Sequence, residues 1–152
     1  MLYQTWARGP GHRFYPLNFA KPPQMQQELV EGYEAARGAL VKEFGQEVVA
    51  VAPVGEAFAA MGFDPRLYGE DIYHAGPPGS LLAAMVLYRT LYGGRIADIS
   101  ARARQDASAA ERWAGIDERF WNQLAAAADG LDIPRNSHPV TATAPADHRT
   151  QQ

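Results

Sequence analysis

A chain of 152 residues, 47% hydrophobic and 20% charged, has the composition of one globular domain with a real core and is too short for two comfortable ones. A net charge of -3 supplies no basic footprint for a nucleic-acid backbone, and the absence of cysteine excludes disulfides, thiolate nucleophiles and cysteine-ligated zinc or iron–sulfur sites. The start, MLYQTWARGPGHRF, lacks the basic and apolar regions of a secretory leader, and no later apolar run reaches the length of a membrane span, so a soluble, cytoplasmic chain without membrane contact is expected.

Leu2 to Trp6 reads as a short strand, closed by the loop chemistry of Arg8-Gly9-Pro10-Gly11. After Pro22-Pro23, Met25, Leu29, Tyr33, Ala36, Leu40 and Phe44 recur at helical spacing up to Gly45, which predicts an amphipathic helix. Val48 to Val54 is a continuous apolar run rich in β-branched residues, as in a strand buried within a parallel sheet, and Gly55 to Gly62 follows as a short helical turn. Strand, helix and strand in that order make a βαβ unit and place the chain in the α/β class. Ser80 to Tyr92 is apolar nearly all round and predicts a helix buried on most sides, with Ser80 as its cap. Further helices are expected over Ile96 to Arg104 and Ala109 to Ala128, the latter with Trp113, Ile116, Phe120, Trp121 and Leu124 on a broad apolar stripe. The domain is expected to span residues 1–131, and 132–152, polar and broken by proline, to form a disordered tail.

The chemistry concentrates at Asp71-Ile72-Tyr73-His74. A serine hydrolase needs an imidazole to take the hydroxyl proton and a carboxylate to fix that imidazole's tautomer and stabilise its charged form. Asp-x-x-His on a tight loop supplies both from one segment. Taken alone the spacing is equally that of a turn capped by Asp71 with an ordinary loop histidine beside it.

Asp71-Ile72-Tyr73-His74, then Gly79-Ser80-Leu81-Leu82-Ala83-Ala84 and the helix to Leu91-Tyr92-Gly93, resembles the last block of the SGNH (GDSL-like) hydrolase superfamily, where an Asp-x-x-His-Pro loop precedes a Gly-x-x-Leu-Ala-Ala helix. Leu2-Tyr3-Gln4-Thr5-Trp6-Ala7, Tyr15-Pro16, Met25-Gln26, Gly32-Tyr33 and Val51-Ala52-Pro53-Val54-Gly55 look like earlier segments of the C-terminal half of such enzymes, in order. Ala75 stands where the family has proline. The resemblance implies part of a flavodoxin-like three-layer α/β/α fold with a short parallel sheet. It also implies a serine ester hydrolase acting on a small-molecule acyl ester, acylated carbohydrates among them, with His74 as general base, Asp71 as its orienting acid, and no cofactor.

The nucleophile is the missing part. The family's Gly-Asp-Ser or Gly-Asn-Ser turn would precede Leu2, and none of Ser80, Ser100, Ser108 and Ser137 sits in a strand-to-helix turn of the required kind. The chain is therefore expected to carry the Asp/His portion of a triad whose serine lies elsewhere. The alternative is a non-catalytic α/β binding or interaction module descended from a hydrolase. Trp6, at a strand end, is a candidate substrate-binding residue or simple packing, and His12 either approaches the same site or is a solvated loop residue. His12, Asp71 and His74 have no recognisable metal-ligand spacing, so no metal is expected. An incomplete sheet would expose an apolar edge through which the chain associates with itself.

Overall fold

The computed structural model describes residues 1–45, 49–99 and 116–133. Strand β1 (Leu2–Tyr3) and strand β2 (Val51–Ala52) pair in parallel, Leu2 opposite Val51 and Tyr3 opposite Ala52, with helix α1 (Pro22–Phe44) between them in sequence. This is the expected βαβ unit, and the protein is mixed α/β, mostly helical, with a two-stranded sheet.

The strands are shorter than the apolar runs that announce them, for a local reason. Leu2 N–H donates to Ala50 O at 2.7 Å and Gln4 N–H to Ala52 O at 3.0 Å, after which Pro53 offers no N–H to continue the ladder. The Gln4 carbonyl instead accepts from Gly55 N–H, at the start of helix α2 (Val54–Ala60). Side chains take over from there: Gln4 Oε1 accepts from the Glu56 amide and Gln26 Oε1 from the Ala7 amide at 2.9 Å. Gly55 lies so close to the Thr5 carbonyl and the Gln26 amide that a Cβ would collide with both. Two buried glutamines thus hold the end of β1 against α1 and α2, satisfying backbone groups that would otherwise be buried without partners.

Helix α1 starts on Pro22 and Pro23, whose fixed φ suits the first turn, and Gln24 Oε1 returns to cap Ala20 N–H at 2.8 Å. It ends at Gly45, φ 87°. Its apolar stripe is only partly covered: Met25 packs on the core, Leu29, Tyr33 and Leu40 are half-buried, and Phe44 is exposed.

After α2 the chain turns through Gly62 and Phe63, both at positive φ, into a short 3-10 turn, Pro65–Leu67, capped by Asp64 Oδ1 on the Arg66 amide. Helix α3 (Pro77–Tyr92) is the centre of the molecule. It buries Leu81, Leu82, Ala83, Met85 and Val86 and packs on α2, the 3-10 turn, β2 and helix α4 (Glu118–Asp129). Gly79 gives it close approach, since a Cβ there would strike the Leu67 carbonyl and come within 2.9 Å of the Phe58 ring. The expectation that Ser80 caps α3 is corrected: Gly76 is the cap residue, Pro77 and Pro78 open the helix, and the Ser80 amide already donates to Gly76 O inside its first turn.

Helix α4 begins where Asp117 Oδ1 accepts from Phe120 N–H at 2.7 Å, and buries Phe120, Leu124, Ala125 and Ala128. Arg89 of α3 secures the far end of α4 by donating to the Ala128 and Leu131 carbonyls, while Asp129 caps the helical turn at 96–99 through the Ile96 and Ala97 amides. Within the helix expected at Ile96–Arg104, residues 96–99 are helical. The rest of it, residues 109–115 of the expected Ala109–Ala128 helix, and the tail from residue 134 lie outside the described residues. Among the described residues no helix is long and apolar enough to cross a membrane.

Candidate active site

Between the 3-10 turn and α3 the chain makes a small closed loop. Tyr68 and Ala75 form an antiparallel bridge, Gly69 N–H donates to His74 O at 2.8 Å, and Gly76 N–H donates to Leu67 O at 2.9 Å. Asp71 and His74 sit at its tip. Asp71 Oδ1 accepts from the amides of Tyr73 (3.0 Å) and His74 (2.9 Å), the geometry of an Asx turn, which leaves Oδ2 to meet His74 Nδ1 at 2.6 Å. Asp71 thus caps the turn with one oxygen and engages the imidazole with the other.

Two contacts fix this loop to the rest of the protein and one closes it on itself. The Ile72 carbonyl accepts from Gly9 N–H at 2.9 Å and the Tyr73 carbonyl from the indole Nε1–H of Trp6 at 3.1 Å, while the His74 carbonyl accepts from Gly69 within the loop. Every carbonyl from 72 to 74 is therefore held, although the Asp71 and His74 side chains are 50% and 75% exposed. Ile72 takes φ 54°, a left-handed conformation that costs a β-branched residue about 1–2 kcal/mol and persists only where neighbours impose it. The Gly9 hydrogen bond and the Asx turn impose it here.

The electrostatics follow from the same bonds. The hydrogen bond from His74, reinforced by the Tyr73 and His74 amides, holds the Asp71 carboxyl well below its ordinary value, down to about 2. With Asp71 ionised, Nδ1 carries the proton of a neutral His74 and donates it, so Nε2 presents its lone pair, the arrangement a general base requires.

The other expected residues lie around this loop. Trp6 does more than pack: its ring stacks on Phe58 at 4.6 Å and 7° while its N–H holds the Tyr73 carbonyl, which makes it a positioning residue for the dyad. His12 approaches the same loop, 6.2 Å from the Tyr73 ring, with Nδ1 accepting from the Phe14 amide at 3.0 Å. Desolvation, with Arg8 and Arg13 adding to it and Asp71 opposing, lowers the His12 pKa, and because Nδ1 accepts from the Phe14 amide the ring proton sits on Nε2. Ser80, the only serine among the described residues, is exposed on α3 and makes no hydrogen bond to His74; Ser100, Ser108 and Ser137 lie outside those residues. Among the described residues no three histidine or acidic side chains converge on a metal position.

Two participants had no signal in the sequence. Tyr73 lays its ring 4.5 Å from that of His74, and Arg8 sets its guanidinium 4.6 Å from the Tyr73 ring and 4.1 Å from the Phe14 ring. Comparison with protein-family models, curated proteins and solved structures finds no match for this chain.

Proposed function

We propose that this chain carries the Asp/His portion of a serine ester hydrolase of SGNH-like type. The reading rests on one observation above all: His74 Nδ1 lies 2.6 Å from Asp71 Oδ2 on a loop whose backbone is held by hydrogen bonds from Gly9, Trp6 and Gly69. A histidine that served packing alone would be buried, whereas this one is clamped through its backbone and Nδ1 and left with an exposed ring. In the proposed fold the βαβ unit of β1, α1 and β2 is one portion of a three-layer α/β/α sheet, and the part-covered stripe of α1 and the exposed Met1 and Tyr3 mark where further structure packs.

In the reaction, a serine from outside the described residues loses its hydroxyl proton to His74 Nε2 as its Oγ bonds to the acyl carbon. Asp71 holds the imidazolium through Nδ1–H. His74 then gives the proton to the departing alcohol oxygen as the C–O bond breaks, and a water molecule repeats the sequence to free the acid. The substrate is a small acyl ester, a carbohydrate ester included, and no cofactor takes part.

The test is hydrolysis of p-nitrophenyl acetate together with fluorophosphonate labelling read by intact mass, for the chain alone and for the chain co-expressed with the reading frames that adjoin it. The expected result is a serine adduct and an activity that falls at least ~10³-fold in His74→Ala. Hydrolysis that is absent from every preparation, or unaffected by His74→Ala, overturns the reading and leaves a non-catalytic interaction module.

A further inference from the structure

Arg8 is the cation nearest in chain order to the positioning residue Trp6, and its side chain is held in an unusual way. Its guanidinium carbon lies over two aromatic faces, Phe14 at 4.1 Å and Tyr73 at 4.6 Å, and its backbone carbonyl accepts from the Tyr15 hydroxyl at 2.9 Å. Stacking against rings fixes the plane of a guanidinium without consuming its in-plane N–H donors. Its Nε is buried and makes no hydrogen bond among the described residues, where no carboxylate pairs with Arg8 either. On the facing loop Asp71 is committed to His74 and two amides, and Glu70 forms no ion pair with Arg8.

Two guanidiniums, Arg8 and Arg13, act on His12 beside the loop that carries His74, whose own charged side chains are Glu70 and Asp71. The Tyr73 ring connects the two functions, with Arg8 over it and the His74 ring 4.5 Å away. The guanidinium is thus oriented by two rings and forms no ion pair among the described residues.

We propose that Arg8 is a substrate-recognition residue that binds a carboxylate carried by the ester substrate, so that the preferred substrate is an acyl ester of a carboxylate-bearing small molecule such as an acidic sugar. The planar fork of an arginine matches a carboxylate through two parallel N–H···O bonds, and its separation from His74 by one aromatic ring places the bound anion beside the reacting ester. The substrate class rests on the hydrolase reading above; the binding of a carboxylate at Arg8 does not.

The test therefore reads binding and not turnover. The full chain, labelled with nitrogen-15, is titrated with glucuronate and separately with glucose, following the Arg8 side-chain Nε–H and the Tyr73 and His74 amides. Saturable shifts with glucuronate and none with glucose are expected, with affinity falling roughly ten- to a hundredfold in Arg8→Gln. Arg8→Lys, which keeps the charge and the ring contact but loses the fork, should fall between the two and serves if Arg8→Gln unfolds. Equal responses to the two sugars, or unchanged glucuronate affinity in both folded variants, overturn the proposal. Carboxylate binding that depends on Arg8, with ester hydrolysis indifferent to His74→Ala, leaves the recognition site standing and removes the catalytic reading alone.

Discussion

Trp6 and Tyr73 are 67 positions apart and joined by one hydrogen bond, from the indole Nε1–H to the Tyr73 carbonyl at 3.1 Å. Because the indole also stacks on Phe58 of α2, the loop bearing Asp71 and His74 is referenced to the core as well as to its own flanks. Trp6→Phe keeps much of the stacking and removes the donor. It should cost about 1 kcal/mol in global stability and speed amide exchange at Tyr73 and His74 well above that in α3. Denaturant unfolding with hydrogen exchange checks this, and a loop as protected as before would show that the bond does not hold it.

Asp71→Asn separates the two jobs of the carboxylate. The amide oxygen can still accept from the Tyr73 and His74 N–H groups, but the group facing His74 Nδ1 becomes a donor. The loop should keep its shape while His74 shifts to the tautomer protonated on Nε2. Nitrogen-15 shifts of the imidazole report this directly, and in an active assembly the rate should fall by on the order of 10⁴-fold. An unchanged tautomer would dismiss Asp71 as the orienting acid.

Acid should disturb this loop late. Asp71 has its pKa lowered from 3.8 to about 2, first by the His74 hydrogen bond and then by the two amides. A depressed carboxylate pKa means that its stabilising contribution is complete above the unfolded value and is lost as pH falls through the folded one, here between about 4 and about 2. The Asp71 carboxyl carbon should titrate near 2 in the native chain and move upward in His74→Ala. A midpoint that stays put in the variant would assign the shift to the backbone amides alone.

Glycines on two helices predict opposite effects. Gly79→Ala places a methyl group against the Leu67 carbonyl and the Phe58 ring, in the wall that supports the loop, and should destabilise by about 1–3 kcal/mol. Gly32→Ala lies on an exposed part of α1 with nothing within 4 Å and should stabilise by about 0.5–1 kcal/mol. Thermal unfolding of both variants decides the point; equal shifts would mean that α3 has room to move away from the 3-10 turn.

What the sequence determined by itself is what short-range physics encodes. Because helical period and backbone punctuation act over a few residues, the spacing from Met25 to Phe44, the proline pair at 22–23 and Gly45 mark α1, and the apolar run to Tyr92 marks α3, although its start lies at Pro77 and not at Ser80. Asp71 and His74 were legible for the same reason, since a carboxylate three positions before a histidine can close an Asx turn and reach the ring without help from elsewhere. Strand length was less legible: the apolar run at 48–54 promised more sheet than Pro53 allows. Only the tertiary structure decided that Gly9 and Trp6 would hold the carbonyls of Ile72 and Tyr73, that Ile72 would adopt a left-handed backbone, and that Arg8 would lie between Phe14 and Tyr73. Those made to Ile72 and Tyr73 join segments 63 to 67 residues apart, and their geometry depends on the parallel pairing of β1 with β2 and on how α3 packs beside the loop. No local pattern carries that information.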